Sequence, residues 1–245
     1  MSHDLTPDGL DAFARDYYLA SDIADIDIED LQQELSMDLI AETVAGAERV
    51  LELGYGVGIT TRALRERGVP IEVIEGSPLL AARARERHEG LVVHEGLFED
   101  WTPEQPYDAV LALHVVEHVD DPLRLLGHVR DWIVPGGTIV VVVPNAESLH
   151  RRIGVRMGLQ PELDTLSERD VLVGHQRVYT LDALAGDLEA AGFSARRRFG
   201  WFLKTLPNSM MLGFPPEMLT ALFTISGELD PSLLANIGIA ATKPA

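Results

Sequence analysis

One segment constrains this chain more than any other. It is Glu52-Leu-Gly54-Tyr-Gly56-Val-Gly58, set between a short apolar run at 49–53 and a helical run at 59–67. Glycines at a strand-to-helix turn let a ligand approach the main chain closely and leave the first amides of the helix facing it. The spacing is not the dinucleotide fingerprint, which needs glycine or alanine at its sixth position. Counting from Gly54, that position is Ile59. Glu75 follows 21 residues after Gly54, at the end of the next apolar run. A carboxylate there can accept both hydroxyls of a ribose. Loop and acid together specify a bound nucleoside.

The rest of the pattern supplies a scaffold for that turn. Apolar, β-branched runs at 49–53, 71–74, 91–94, 107–113, 138–143, 195–199 and 237–241 read as seven strands. Between them, 59–67, 79–88, 123–132 and 180–191 read as helices, with Gly68 and Gly192 as stops and Thr180 as an N-cap. Such alternation predicts an α/β fold, a doubly wound and mostly parallel sheet with ligands at the carboxyl ends of its strands. The run 138–143 is apolar on both sides and belongs in the interior of the sheet. The last two strands are expected to pair antiparallel. Ahead of the sheet, Thr6-Pro7 starts a helix carrying Leu10, Phe13, Tyr17 and Tyr18, and Leu31, Leu35, Leu39 and Ile40 stripe a second. We therefore expect an N-terminal helical cap at 1–45 and one domain at 46–245, with helical lid insertions near 145–178 and 200–231.

Charge and composition exclude several classes. The 245 residues carry a formal charge of −19, of which residues 1–45 hold −11. A field of that sign repels a phosphate backbone, so no nucleic-acid partner is expected. With no cysteine there is no disulfide, thiol nucleophile or thiolate metal site. No apolar run is long enough to span a bilayer and no leader opens the chain, so a cytoplasmic protein without a membrane partner is expected.

Five pieces in order carry a resemblance. They are Leu51-Glu52-Leu53-Gly54-Tyr55-Gly56-Val57-Gly58, Ile74-Glu75-Gly76-Ser77-Pro78, Tyr107-Asp108-Ala109-Val110 with its continuation His114-Val-Val-Glu117-His118-Val-Asp120-Asp121-Pro122, Pro135-Gly136-Gly137-Thr138, and Val143-Pro144-Asn145. The chain resembles the class I S-adenosylmethionine-dependent methyltransferases, in particular small-molecule enzymes of ubiquinone biosynthesis and of bacterial sugar and secondary metabolism. The resemblance implies a Rossmann-like sheet, S-adenosylmethionine as cofactor and S-adenosylhomocysteine as product. It implies that Gly54, Gly56 and Gly58 flank the methionine part, that Glu52 orients the loop and that Glu75 binds the ribose. By the same likeness Gly76 and Ser77 lie beside the adenine, and Leu113 and His114 face the sulfonium. Many relatives place an acid after the third strand; here Leu97 stands there, so apolar packing by Leu97 and a backbone contact at Phe98 are expected.

The donor arrives activated, so alignment is the main task, with a base wherever a hydroxyl must lose its proton. His118 is the first candidate for that base, His114 a second and His175 a third. Ubiquinone-biosynthesis relatives carry a similar E-x-x-E-H that can hold a divalent cation. Here His114 replaces the first acid, and no metal is expected. Segment 174–180 and the basic group His150-Arg151-Arg152 with Arg156 are acceptor-site candidates, as are Lys204 and an apolar wall of Met210, Met211, Phe214 and Met218. The expected reaction is methyl transfer to a hydroxyl or amine of a small molecule, a sugar or secondary metabolite. The alternatives are N-methylation of a short peptide or amino sugar, and a regulatory protein that binds S-adenosylmethionine without turnover. A nicotinamide oxidoreductase is disfavoured by Ile59, and a homodimer stays open.

Overall fold

The computed structural model describes residues 6–19 and 26–245, so the parts of the expected cap at 1–5 and 20–25 lie outside the described residues. The chain opens with α1 (Pro7–Phe13), a π-helical turn (Ala14–Tyr18) and α2 (Ile26–Thr43). There follow β1 (Val50–Leu53), α3 (Ile59–Glu66), β2 (Ile71–Glu75), α4 (Pro78–Arg87), β3 (Val93–Glu95), β4 (Tyr107–Leu113), α5 (Pro122–Asp131) and β5 (Ile133–Pro144). The second half contains α6 (Leu149–Arg156), α7 (Glu168–Leu172), α8 (Leu181–Ala190), β6 (Ser194–Trp201), α9 (Asn208–Met211), α10 (Pro216–Thr224) and β7 (Asn236–Thr242).

The seven strands form one sheet in the order β3-β2-β1-β4-β5-β7-β6. The ladders from β3 to β5 are parallel, and β7 runs antiparallel to both its neighbours. The chain winds outward from β1 to β3 and then returns to β4. The switch point therefore lies between the carboxyl ends of β1 and β4, where a doubly wound sheet opens a crevice. Alternate side chains of each strand enter two cores. Val50, Leu111, Val140 and Val142 meet α2, α3 and α4 on one face. Leu51, Val110, Ile139 and Val141 meet α5 and α8 on the other. Local signals hold each helix: Thr6, Ser77, Asp121 and Thr180 accept from amides of the first turns of α1, α4, α5 and α8.

Two departures from expectation have clear causes. β5 begins at Ile133, not 138, because Ile133 already pairs with Tyr107; the register then jumps to Ala109↔Thr138. Gly137 lies inside that bulge, where a Cβ would stand 2.8 Å from the Asp108 carbonyl oxygen. On α2 the buried line runs through Ile28, Met37 and Ile40, while Leu31, Leu35 and Leu39 are half-buried. The helix is rotated so that Gln32 and Ser36, both buried, face the crevice. Glu117 and His118 occupy a turn before α5, whose start is set by Asp121 and Pro122. Among the described residues no helix is long and apolar enough to cross a membrane.

Candidate active site

A cavity of about 890 Å³ opens over the carboxyl ends of β1, β2 and β4. That is the upper part of the range for small-molecule sites, roughly 300–1,000 Å³. Leu10, Phe13, Tyr17, Tyr18 and the polar side of α2 roof it, and α6, α7 and residues 201–212 close its far end.

Glu75 anchors the near end. One oxygen accepts from the Tyr55 amide at 2.7 Å and the other from the Ser77 amide at 2.7 Å. Burial pushes this carboxyl up, and the surrounding amides oppose the shift. The carboxylate lines the cavity, where it can accept from a diol. Glu52 lies deeper and accepts from the Thr61 hydroxyl at 2.5 Å. Burial pushes it up to about 8, so it is largely protonated at neutral pH. Gly54 and Gly56 take left-handed backbone in the cavity wall. Gly76, Leu97, Phe98, Leu113 and His114 line the same wall. Gly58 does not. It starts α3 at φ +87°, and a Cβ there would collide with the Tyr55 hydroxyl, so it serves the turn from behind. Ser77 is in the wall, but its hydroxyl is committed to capping α4 and to Asp11 at 2.5 Å. Tyr18, foreseen only as part of a helical stripe, stands over the loop, 3.6 Å from the Cβ position of Gly56. Burial, with Glu75 and Glu117 nearby, pushes its hydroxyl well above the usual phenol range.

The far end holds a histidine cluster. His114, at φ +56°, approaches Glu117 Oε1 through Nδ1 at 3.1 Å. Glu117 is fully buried and its Oε2 has no partner among the described residues. Burial acts to raise its carboxyl, but the three neighbouring histidines hold it below the usual range. The rings of His118 and His175 meet edge-on, 4.9 Å between centroids. Burial lowers His118 to about 4, against the pull of Glu117. Segment 174–180 holds this cluster together. Arg177 donates to the carbonyls of Val116, Val119 and Asp120, and Gln176 binds His118 O and Asp120. Donor atoms of Glu117, His118 and His175 lie within 4.8 Å of one another, a spacing open to a divalent cation.

Other acceptor candidates fall differently than expected. The basic group separates: His150 is in the cavity wall, Arg151 is buried in an ion pair with Asp170 at 2.5 Å, and Arg152 turns to Glu147. Trp201 and Lys204 line the cavity. The four residues of the expected apolar wall, Met210, Met211, Phe214 and Met218, do not, and Leu212, which was not foreseen, does. Met211 is in the core, while Met210 and Met218 are exposed. Asp170 was missed; Ser167-x-x-Asp170 is a capping-box signature and does cap α7.

A seven-stranded sheet of this order, with a glycine loop after β1 and an acid ending β2, defines a class I S-adenosylmethionine-dependent methyltransferase. A family model described as a methyltransferase domain matches residues 25–197, and the chain belongs to that family. It is 33% identical over 117 residues to a ubiquinone biosynthesis O-methyltransferase of Xanthomonas campestris pv. campestris, covering 44% of this chain and 48% of that protein. The chain thus spans about half the length of the ubiquinone relatives it matches. An uncharacterized methyltransferase of Geobacillus kaustophilus is 30% identical over 185 residues, covering 70% of this chain and 84% of that protein. Among solved structures, a Thermotoga maritima methyltransferase described as a possible histamine N-methyltransferase superposes with TM-score 0.64 at 19% identity, covering 99% and 100% of the two chains. The N-methyltransferase NodS of Bradyrhizobium japonicum, in complex with S-adenosyl-L-homocysteine, gives 0.54 at 13%, covering 94% and 92%. These last two likenesses are of fold. The cofactor is S-adenosylmethionine, and the loop and Glu75 suit its nucleoside, with Leu10 and Leu97 packed close to Gly76.

Proposed function

We propose that this chain methylates a hydroxyl of a small molecule, in the sugar or secondary-metabolite class, within one domain at 46–245 capped by 1–45. When bound, S-adenosylmethionine supplies an electrophilic methyl on a sulfonium. The chain supplies orientation from Glu75 and the loop at Gly54 and Gly56, a roof from Tyr18 and α2, and a proton acceptor from His114, His118 and His175. The observation that carries the reading is the placement of these histidines at the far end of the cavity, beyond the carboxyl end of β4. The curated relatives named as O-methyltransferases support it. An amine acceptor is the second reading, favoured by Glu29 and Asp30 in the cavity wall; Glu29 is engaged by Tyr17, Arg169 and Asn208.

Isothermal titration with S-adenosylhomocysteine and a screen of hydroxyl and amine acceptors with labelled cofactor test this. Binding with label transferred to oxygen supports the reading; label on nitrogen supports the second. Transfer to no acceptor, with binding intact, would favour a regulatory protein. Glu75→Ala removes charged hydrogen bonds worth about 1.5–3 kcal/mol each. It should weaken S-adenosylhomocysteine about 10- to 100-fold, and an unchanged affinity would contradict the ribose assignment.

A further inference from the structure

Asp170 has more partners than its cap needs. Its Oδ2 accepts from the Ser167 amide at 2.8 Å, the Ser167 hydroxyl at 2.7 Å and Arg151 at 2.5 Å. Those bonds close the capping box and fill that oxygen. Oδ1 is turned the other way and meets a single group, Nδ1 of His175 at 3.0 Å. Arg151 is itself buried and fixed on the carbonyls of Leu163 and Thr165, so its charge stays on the carboxylate. Burial acts to raise Asp170, but the His175 bond, Arg151 and Ser167 outweigh it and hold the group ionised, far below the usual carboxylate range. An ionised carboxylate only accepts, so the proton between the two groups belongs to Nδ1. Nε2 of His175 then carries a lone pair. It has no hydrogen-bond partner among the described residues, and the ring lies in the cavity wall beside His118.

We propose, resting on the methyl-transfer reading above, that Asp170 is a positioning residue that holds His175 with Nδ1 protonated and Nε2 bare, making His175 the group that takes the acceptor's proton. In the step, the acceptor oxygen forms its bond to the methyl carbon while the electron pair of the breaking carbon–sulfur bond goes to sulfur. The hydroxyl proton passes to Nε2. The resulting imidazolium is balanced by Asp170 and later releases its proton to water. Arg151 keeps that carboxylate from taking the proton itself.

Nitrogen-15 spectroscopy of the imidazole rings tests this on the full chain, dialysed against EDTA, with His175→Gln assigning the signal. The wild type should show Nδ1 protonated and Nε2 unprotonated at neutral pH. In Asp170→Asn the Arg151 and Ser167 donors draw the amide oxygen to the Oδ2 position, so the amide NH₂ faces Nδ1 and donates to it. The tautomer should then reverse and place the proton on Nε2. With a hydroxyl acceptor, kcat should fall about 10- to 100-fold, while S-adenosylhomocysteine affinity stays within about twofold. A wild-type Nε2–H tautomer overturns the proposal whether or not the variant folds, and so does an unchanged tautomer in Asp170→Asn. Loss of S-adenosylhomocysteine binding by the wild type would instead fault the nucleoside site, which separates the two failures.

Discussion

At the scale of residues, the near end of the cavity is strict about shape. Gly58 combines left-handed backbone with a Cβ position occupied by the Tyr55 ring. Gly58→Ala should destabilise the fold by about 1–2 kcal/mol from backbone conformation, and by more from the displaced ring. Chemical denaturation measures this, and an unchanged midpoint would show that the turn has another geometry. The places of Glu75 at the end of β2 and of this glycine at the start of α3 were legible in the sequence, because their spacing is local to one βαβ unit, but not that Gly58 lies behind the loop, out of the cavity wall. Asp170 was not. Its capping role is written in Ser167-x-x-Asp170, but the use of its second oxygen depends on where His175 returns in space, and no local pattern encodes that. Likewise Ser77 looked like an adenine neighbour, yet its hydroxyl is taken by Asp11 from α1, 66 positions earlier.

At the scale of elements, Arg177 makes the most bonds fastening the histidine cluster, with Gln176 beside it. Arg177 joins the segment before α8 to the turn after β4 through three carbonyl oxygens. Charge-assisted bonds of this kind contribute more than neutral ones. Arg177→Ala should lower stability by about 1–3 kcal/mol and separate the rings of His118 and His175. S-adenosylhomocysteine affinity should change little, since the nucleoside end shares none of these bonds. Thermal melting and titration of the same variant check both halves of that expectation. The strands and most helices were readable because apolar period and caps agree. The rotation of α2 was not, because its leucine stripe competes with polar residues drawn to the cavity.

At the scale of the molecule, titration of buried groups shapes stability. His118 and His150 are held neutral by burial, with values near 4 and 2, whereas unfolded histidine titrates near 6.5. Below pH 6.5 the unfolded chain therefore binds more protons than the folded one, and these two groups make stability fall as pH falls. Glu52 acts oppositely. Its folded value near 8 lies above the unfolded 4.5, so its contribution declines as pH rises from 4.5 to 8, and Glu75 shifts in the same direction. The opposing slopes offset one another between about pH 4.5 and 6.5. Stability should be nearly flat there, fall steeply below as Asp170 also protonates, and decline gently from 6.5 to 8. Denaturation midpoints across pH 3–9 test the shape, and a monotonic rise through neutrality would contradict the raised carboxyls. The sheet order has a further consequence, for assembly. β6 pairs only with β7 among the described strands, and β7 follows it in the chain while lying between it and β5. As the chain leaves the ribosome, residues up to β5 can close the nucleoside end, but Trp201 and the segment behind it have no sheet to join until β7 arrives. The half of the cavity proposed to hold the acceptor is the last to be built.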